Sequence, residues 1–165
     1  MTAAKDLPGF NGRTAFNGAL RFVNPHLSEV VEKLSKDFGT LAPHLQFFAE
    51  DAFGTLYGLR DGGTVAIFWP ETAECADLGI STEEFYQAIL DDPDGTIEYA
   101  LYVKAVKRLG RPDIHQHFAF TIETAFGGEF SVENISIMDS KEHLTELGSI
   151  AKQIQDAPVG TKFKV

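Results

Sequence analysis

The chain reads as a single α+β domain with a central, mostly antiparallel sheet flanked by about four helices. Three observations predict this. A helix, a hairpin, further helices and further strands follow one another without the regular β-α alternation of a doubly wound fold. The 165 residues, 44% of them apolar and 14 of them Phe, suffice for one packed core. No internal repeat or low-complexity tract divides the chain 1–165.

Residues 1–25 hold Pro8, Gly9, Gly12, Gly18 and Pro25 and read as an irregular lead-in, packed through Phe10, Phe16, Leu20 and Phe22. Leu27, Val30, Val31, Leu34 and Phe38 then repeat at amphipathic helical spacing, with Gly39 as the stop. Aromatic and β-branched runs predict strands near 45–49, 54–60 and 64–69, and Asp61–Gly63 signals the hairpin turn. Ser81 and Glu84 form a capping box for a helix that buries Phe85 and Ile89, and Asp92-Pro93 breaks it. Asp94 is expected to cap a second helix near 96–109, closed by Gly110 and Pro112. Strands near 117–122 and 133–138 follow. Asp139 or Ser140 caps a last helix with Leu144, Leu147, Ile150, Ala151 and Ile154 on one stripe. The closing "PVGTKFKV" reads as a turn and a short strand.

Net charge is −10, and it is unevenly placed. Twelve acids and one base, Arg60, lie between Glu50 and Glu98, a net −11, while the rest of the chain nets +1. Such a field repels nucleic acid and speeds encounter with basic proteins. The one cysteine, Cys75, allows no internal disulfide. No apolar run approaches the ~20 residues that span a bilayer, and "MTAAKDLPGFNGR" lacks the apolar centre of a secretion signal. The expectation is a cytoplasmic protein without membrane or nucleic-acid contact.

Within "FFAEDAFGTLYGL" two adjacent carboxylates, Glu50 and Asp51, interrupt the most hydrophobic run of the chain. A catalytic pair of carboxylates needs a separation of roughly 5–10 Å across a scissile bond, whereas neighbours on a strand point to opposite faces. Two readings compete better. Asp51 and Gly54 can end the strand and turn the chain, with the Asp51 carboxylate accepting local amides. Glu50 and Phe53 can belong to a surface that meets a partner. Trp69, the single tryptophan, precedes Glu71 and Glu74 in "FWPETAE". It is either a buried ring closing the sheet or an interface anchor. Asp91 and Asp92 end a helix where negative charge opposes the dipole. These two suggest charge that answers to a partner, whereas Asp94 is accounted for by capping the next helix.

No catalytic residue is expected. There is no G-x-S-x-G, and Glu74 and Asp77 flank Cys75 and raise rather than lower a thiol pKa. "GLRDGG" and "FGGEF" match neither a dinucleotide loop nor a P-loop and fit hairpin turns. His115 and His117 share a strand face by spacing, but no third ligand stands at a zinc-site interval. No metal or cofactor is therefore expected; a small-molecule or metal-binding domain centred on these histidines is the alternative.

Three segments, in this order, carry a resemblance: "FFAEDAFGTLYGL" as F-x-E-D-x-F-G, "FWPETAE" as E-T-x-E, and "GISTEEFYQAILDD" as I-L-x-D. The closing "GSIAKQIQDAPVGT" is similar to G-x-I-A-x-Q-I-x-D-x-P-x-G-T. Together they resemble the GAD-like and type VI secretion immunity-protein domain family, whose organisation is close to the broader SUKH (Smi/Knr-like) immunity superfamily. The likeness is best over 47–92 and 132–162; residues 111–130 depart from it. It implies an α+β fold, no catalysis and neutralisation of a cognate toxin by direct binding. In the better-known branch that toxin is a secreted DNase, basic because it must hold phosphate, and an acidic inhibitor complements it. On this reading Glu50, Phe53, Trp69, Glu71, Glu74, Asp91, Asp92 and Asp94 meet the partner.

Overall fold

A computed structural model describes residues 2–3, 12–22, 24–158 and 161. The chain forms a mostly antiparallel sheet covered by helices on both faces, with a two-stranded hairpin to one side. Strands β1 (Thr2–Ala3), β2 (Thr14–Ala15), β3 (Leu20–Phe22), β4 (Gln46–Asp51), β5 (Leu56–Leu59), β6 (Val65–Trp69) and β7 (Glu74–Asp77) make the large sheet. Its order is β2-β3-β4-β5-β6-β7, all antiparallel, and β1 pairs β4 in parallel. Strands β8 (Gln116–Phe120) and β9 (Ile135–Asp139) form the hairpin. The helices are α1 (Pro25–Phe38), α2 (Thr82–Asp91), the one-turn α3 (Pro93–Ile97), α4 (Tyr99–Leu109) and α5 (Ser140–Asp156).

The central strands bury both faces, which is why they read as unbroken apolar runs. Successive side chains alternate sides. Phe47, Leu56, Ala66 and Phe68 pack with Leu27, Leu34, Phe38, Leu144 and Leu147 of α1 and α5. Phe48, Tyr57 and Val65 pack with Phe85, Ile89, Ile97, Leu101 and Tyr102 of α2, α3 and α4, and with Phe118. Gly58 is required where β5 passes Leu45, because an added Cβ would lie 2.8 Å from the Leu45 Cβ.

Several sequence expectations change. The described residues of the lead-in supply the short strands β1, β2 and β3, and Leu20 and Phe22 are buried. Phe10 and most of "PVGTKFKV" lie outside the described residues. The expected helix over 96–109 is two helices, because Glu98 adopts a left-handed φ of 53° between them. Asp92, not Asp94, caps α3 by accepting the Gly95 amide; Asp94 instead accepts the Ala100 amide in the first turn of α4. Strand β7 had no signal of its own, since "ECAD" is short and half polar. The Ser81–Glu84 capping box and the Asp139 cap are present.

Candidate functional site

A line of charged and polar side chains crosses the interior from β3 to α5. Arg21 is 3% exposed and lies 3.8 Å from Glu50, which is 0% exposed. Arg21 spends its guanidinium on the carbonyls of Ile114 and Gln116, at 3.1 and 2.9 Å. Glu50 Oε2 lies 3.4 Å from His117 Nε2, His117 Nδ1 lies 3.2 Å from His143 Nδ1, and His143 Nε2 faces Glu123 at 3.7 Å. Burial keeps the His117 imidazole below its usual range, hence neutral. Burial also opposes ionisation of Glu50, but His117 and Arg21 outweigh it and hold the carboxyl below its ordinary value. A neutral His117 that donates Nε2–H towards Glu50 must accept at Nδ1. His143 then donates from Nδ1, and its Nε2 lies 3.7 Å from Glu123 Oε1.

Asp51 points to the other face, as strand neighbours must. Its Oδ1 accepts the amides of Phe53 and Thr55, at 2.9 and 3.0 Å, and so ties the turn after β4. Gly54 makes the turn with φ 94°, and an added Cβ would stand 3.1 Å from His117 Nδ1. Gly54→Ala is therefore expected to cost about 1–3 kcal/mol, read as a lowered urea midpoint.

Asp51, Phe53, Thr55, Trp69, Glu71, Glu98, Phe120, Glu123, Thr124, Phe130, His143 and Leu147 line a cleft of about 160 Å³. Four carboxylates thus converge on aromatic walls. Phe53 stacks on Phe120 with ring centres 6.2 Å apart, and Phe130, 56% exposed, leans on Phe120 at the mouth. Burial and the charges of Glu123 and Glu74 raise the Glu71 carboxyl above its usual value. Burial and Asp94 do the same for Glu98. Among the described residues, none of Glu71, Glu74, Asp91, Asp92, Asp94 and Glu98 forms an ion pair. Crowded acids set among aromatic faces can receive a cationic group.

The residues singled out from sequence separate. Phe53, Trp69 and Glu71 meet Asp51 in the cleft; Glu74 acts on it through Glu71, and Asp94 through Glu98. Asp91 and Asp92 are exposed at the α2–α3 elbow, where Asp91 accepts from Gln87. The reading of Glu50 as part of an exposed rim is corrected: it lies in the core, neutralised by Arg21 from β3. Trp69 is half-buried, between the two cases weighed. His115 and His117 do not share a site, because His115 precedes β8 and pairs with His26, whereas His117 is fully buried. Sequence reasoning missed Glu98, Glu123, Phe130 and His143. Glu98 had a signal as the last acid of the run from Glu50, and His143 as the neighbour of Leu144 on the buried stripe of α5.

No protein-family model and no curated protein matches the chain. Among solved structures, the chain is similar to Atu4351 from Agrobacterium tumefaciens, with a TM-score of 0.54 and 16% identity. The match covers 80% of this chain and 67% of that one. At this identity the likeness concerns the fold alone.

Proposed function

We propose that the protein is a bacterial immunity protein that neutralises a cognate secreted toxin, basic and of the nuclease kind, by binding it without catalysis. The observation that carries this reading is the cleft where Glu71, Glu98 and Glu123 gather beside the buried Asp51, and where Glu71 and Glu98 have no ion-pair partner among the described residues. Its volume of about 160 Å³ is below the ~300–1,000 Å³ usual for small-molecule and cofactor pockets. It suits the guanidinium or ammonium head of one partner side chain. Charge-assisted hydrogen bonds to such a head contribute about 1.5–3 kcal/mol each, and a desolvated Arg in an aromatic pocket is a common hot spot. The exposed Asp91, Asp92 and Asp94 add a negative approach that steers a basic surface.

Pull-down of the adjacent gene's product by this protein tests the proposal. Capture is expected at low salt and weakened at high salt, because exposed charges are screened beyond about 8–10 Å at physiological ionic strength. No capture, or capture indifferent to salt, contradicts it.

A further inference from the structure

His26 and His115 lie outside the cleft and have no part in the binding proposed for it. His26 is the second residue of α1, behind Pro25, and is 3% exposed. His115 sits on the turn that enters β8 and is exposed. Their Nδ1 atoms face each other at 2.9 Å, with the rings crossed at 84°. Glu29 stands three residues after His26, on the same helix face. One donor atom from each of the three side chains lies within 4.8 Å of the other two.

The orientation of these rings is built from outside. His26 Nε2 is 2.9 Å from Ser140 Oγ, and Ser140 is fully buried. When Nε2–H donates to that hydroxyl, Nδ1 carries a lone pair aimed at His115. Holding the far ring nitrogen in this way is how proteins set the tautomer of a metal-ligating histidine. The His115 backbone is equally fixed. Its carbonyl accepts the Ser140 amide at 2.9 Å, and Arg21 holds the carbonyls of Ile114 and Gln116 on either side.

We propose that His26, Glu29 and His115 form a binding site for one divalent transition-metal ion of the zinc type, clamping the starts of α1, β8 and α5. Two imidazole nitrogens and one carboxylate favour zinc, cobalt, nickel or copper over magnesium or calcium, which prefer oxygen ligands. Glu29 now pairs with Lys141, but both side chains are about half exposed. An exposed pair is weak, so the carboxylate can exchange its ammonium for the metal or bind both.

Titration of the metal-freed protein with zinc, followed by calorimetry, and with cobalt, followed by visible absorption, tests the site. One equivalent is expected to bind, with a rise in Tm and no matching response to magnesium. His115→Ala should abolish saturable binding. Ser140→Ala should weaken it about 10–100-fold, and His44→Ala, an exposed histidine elsewhere, should leave it unchanged. Glu29 is exposed, so Glu29→Gln keeps the fold and should still weaken binding. No saturable binding to the wild type overturns the proposal. So does one-equivalent binding that survives both His115→Ala and Glu29→Gln, or an equal response to magnesium. In those cases the 2.9 Å contact is an N–H···N hydrogen bond and nothing more.

Discussion

Replacing Glu50 with alanine is expected to cost about 3–5 kcal/mol of folding free energy, the usual effect of breaking a buried charge pair. Arg21 stays 3% exposed without its countercharge, and the fully buried His117 loses the carboxylate 3.4 Å from its Nε2. The urea midpoint should fall with little change in slope. Arg21→Met combined with Glu50→Leu should recover only part of the loss. Apolar replacements remove the unpaired charge, but the Ile114 and Gln116 carbonyls lose their donor. Wild-type stability in Glu50→Ala would mean that the line from Arg21 to His143 is not held together by charge.

Asp51 should make stability fall as the solution turns alkaline. Burial pushes its carboxyl up from 3.8 to about 7, against the pull of the Phe53 and Thr55 amides. Tyr57 Oη lies 3.1 Å from the Thr96 carbonyl and 3.3 Å from Asp51 Oδ2, but it has one proton to give. That carbonyl can only accept, so a protonated Asp51 completes the set by donating from Oδ2 to Tyr57. A raised folded pKa contributes stability that is complete below the unfolded value and is lost as pH rises through about 7. The protein should be about 1 kcal/mol more stable at about pH 6.5 than at about pH 8.5. Further acidification acts the other way through His26 and His117, which burial holds below 6.5. Asp51→Asn keeps the amide acceptor and supplies a permanent donor to Tyr57, so it should flatten the alkaline limb. Asp51→Ala leaves the Phe53 and Thr55 amides without their acceptor and should cost about 2–3 kcal/mol near neutral pH. An unchanged alkaline limb in Asp51→Asn would contradict this assignment.

Legibility in the sequence followed the range of the interactions. Local signals were readable: the Ser81–Glu84 box, the Asp139 cap, the Gly39 stop and the stripe of α5 all act within one turn. The turn chemistry of Asp51 and Gly54 was readable for the same reason. The fate of Glu50 was not. Its neutraliser, Arg21, sits on a strand that carried too few residues to announce itself, and its other partner, His117, comes from a separate hairpin. The concentration of acid between Glu50 and Glu98 was visible, but Glu123 and His143 complete the cleft from outside that segment. Only the packing of α5 and the β8–β9 connection against the main sheet brings them there.

The affinity of the captured basic partner for the Glu71→Gln, Glu123→Gln double variant bears most directly on the cleft's role. Both side chains line the cleft and neither sits in the core, so the substitutions should leave the fold intact. The dissociation constant is expected to rise by about tenfold or more, equivalent to about 1.4 kcal/mol or more, with a shallower dependence on salt. An unchanged dissociation constant and an unchanged salt dependence would show that the partner does not use the cleft.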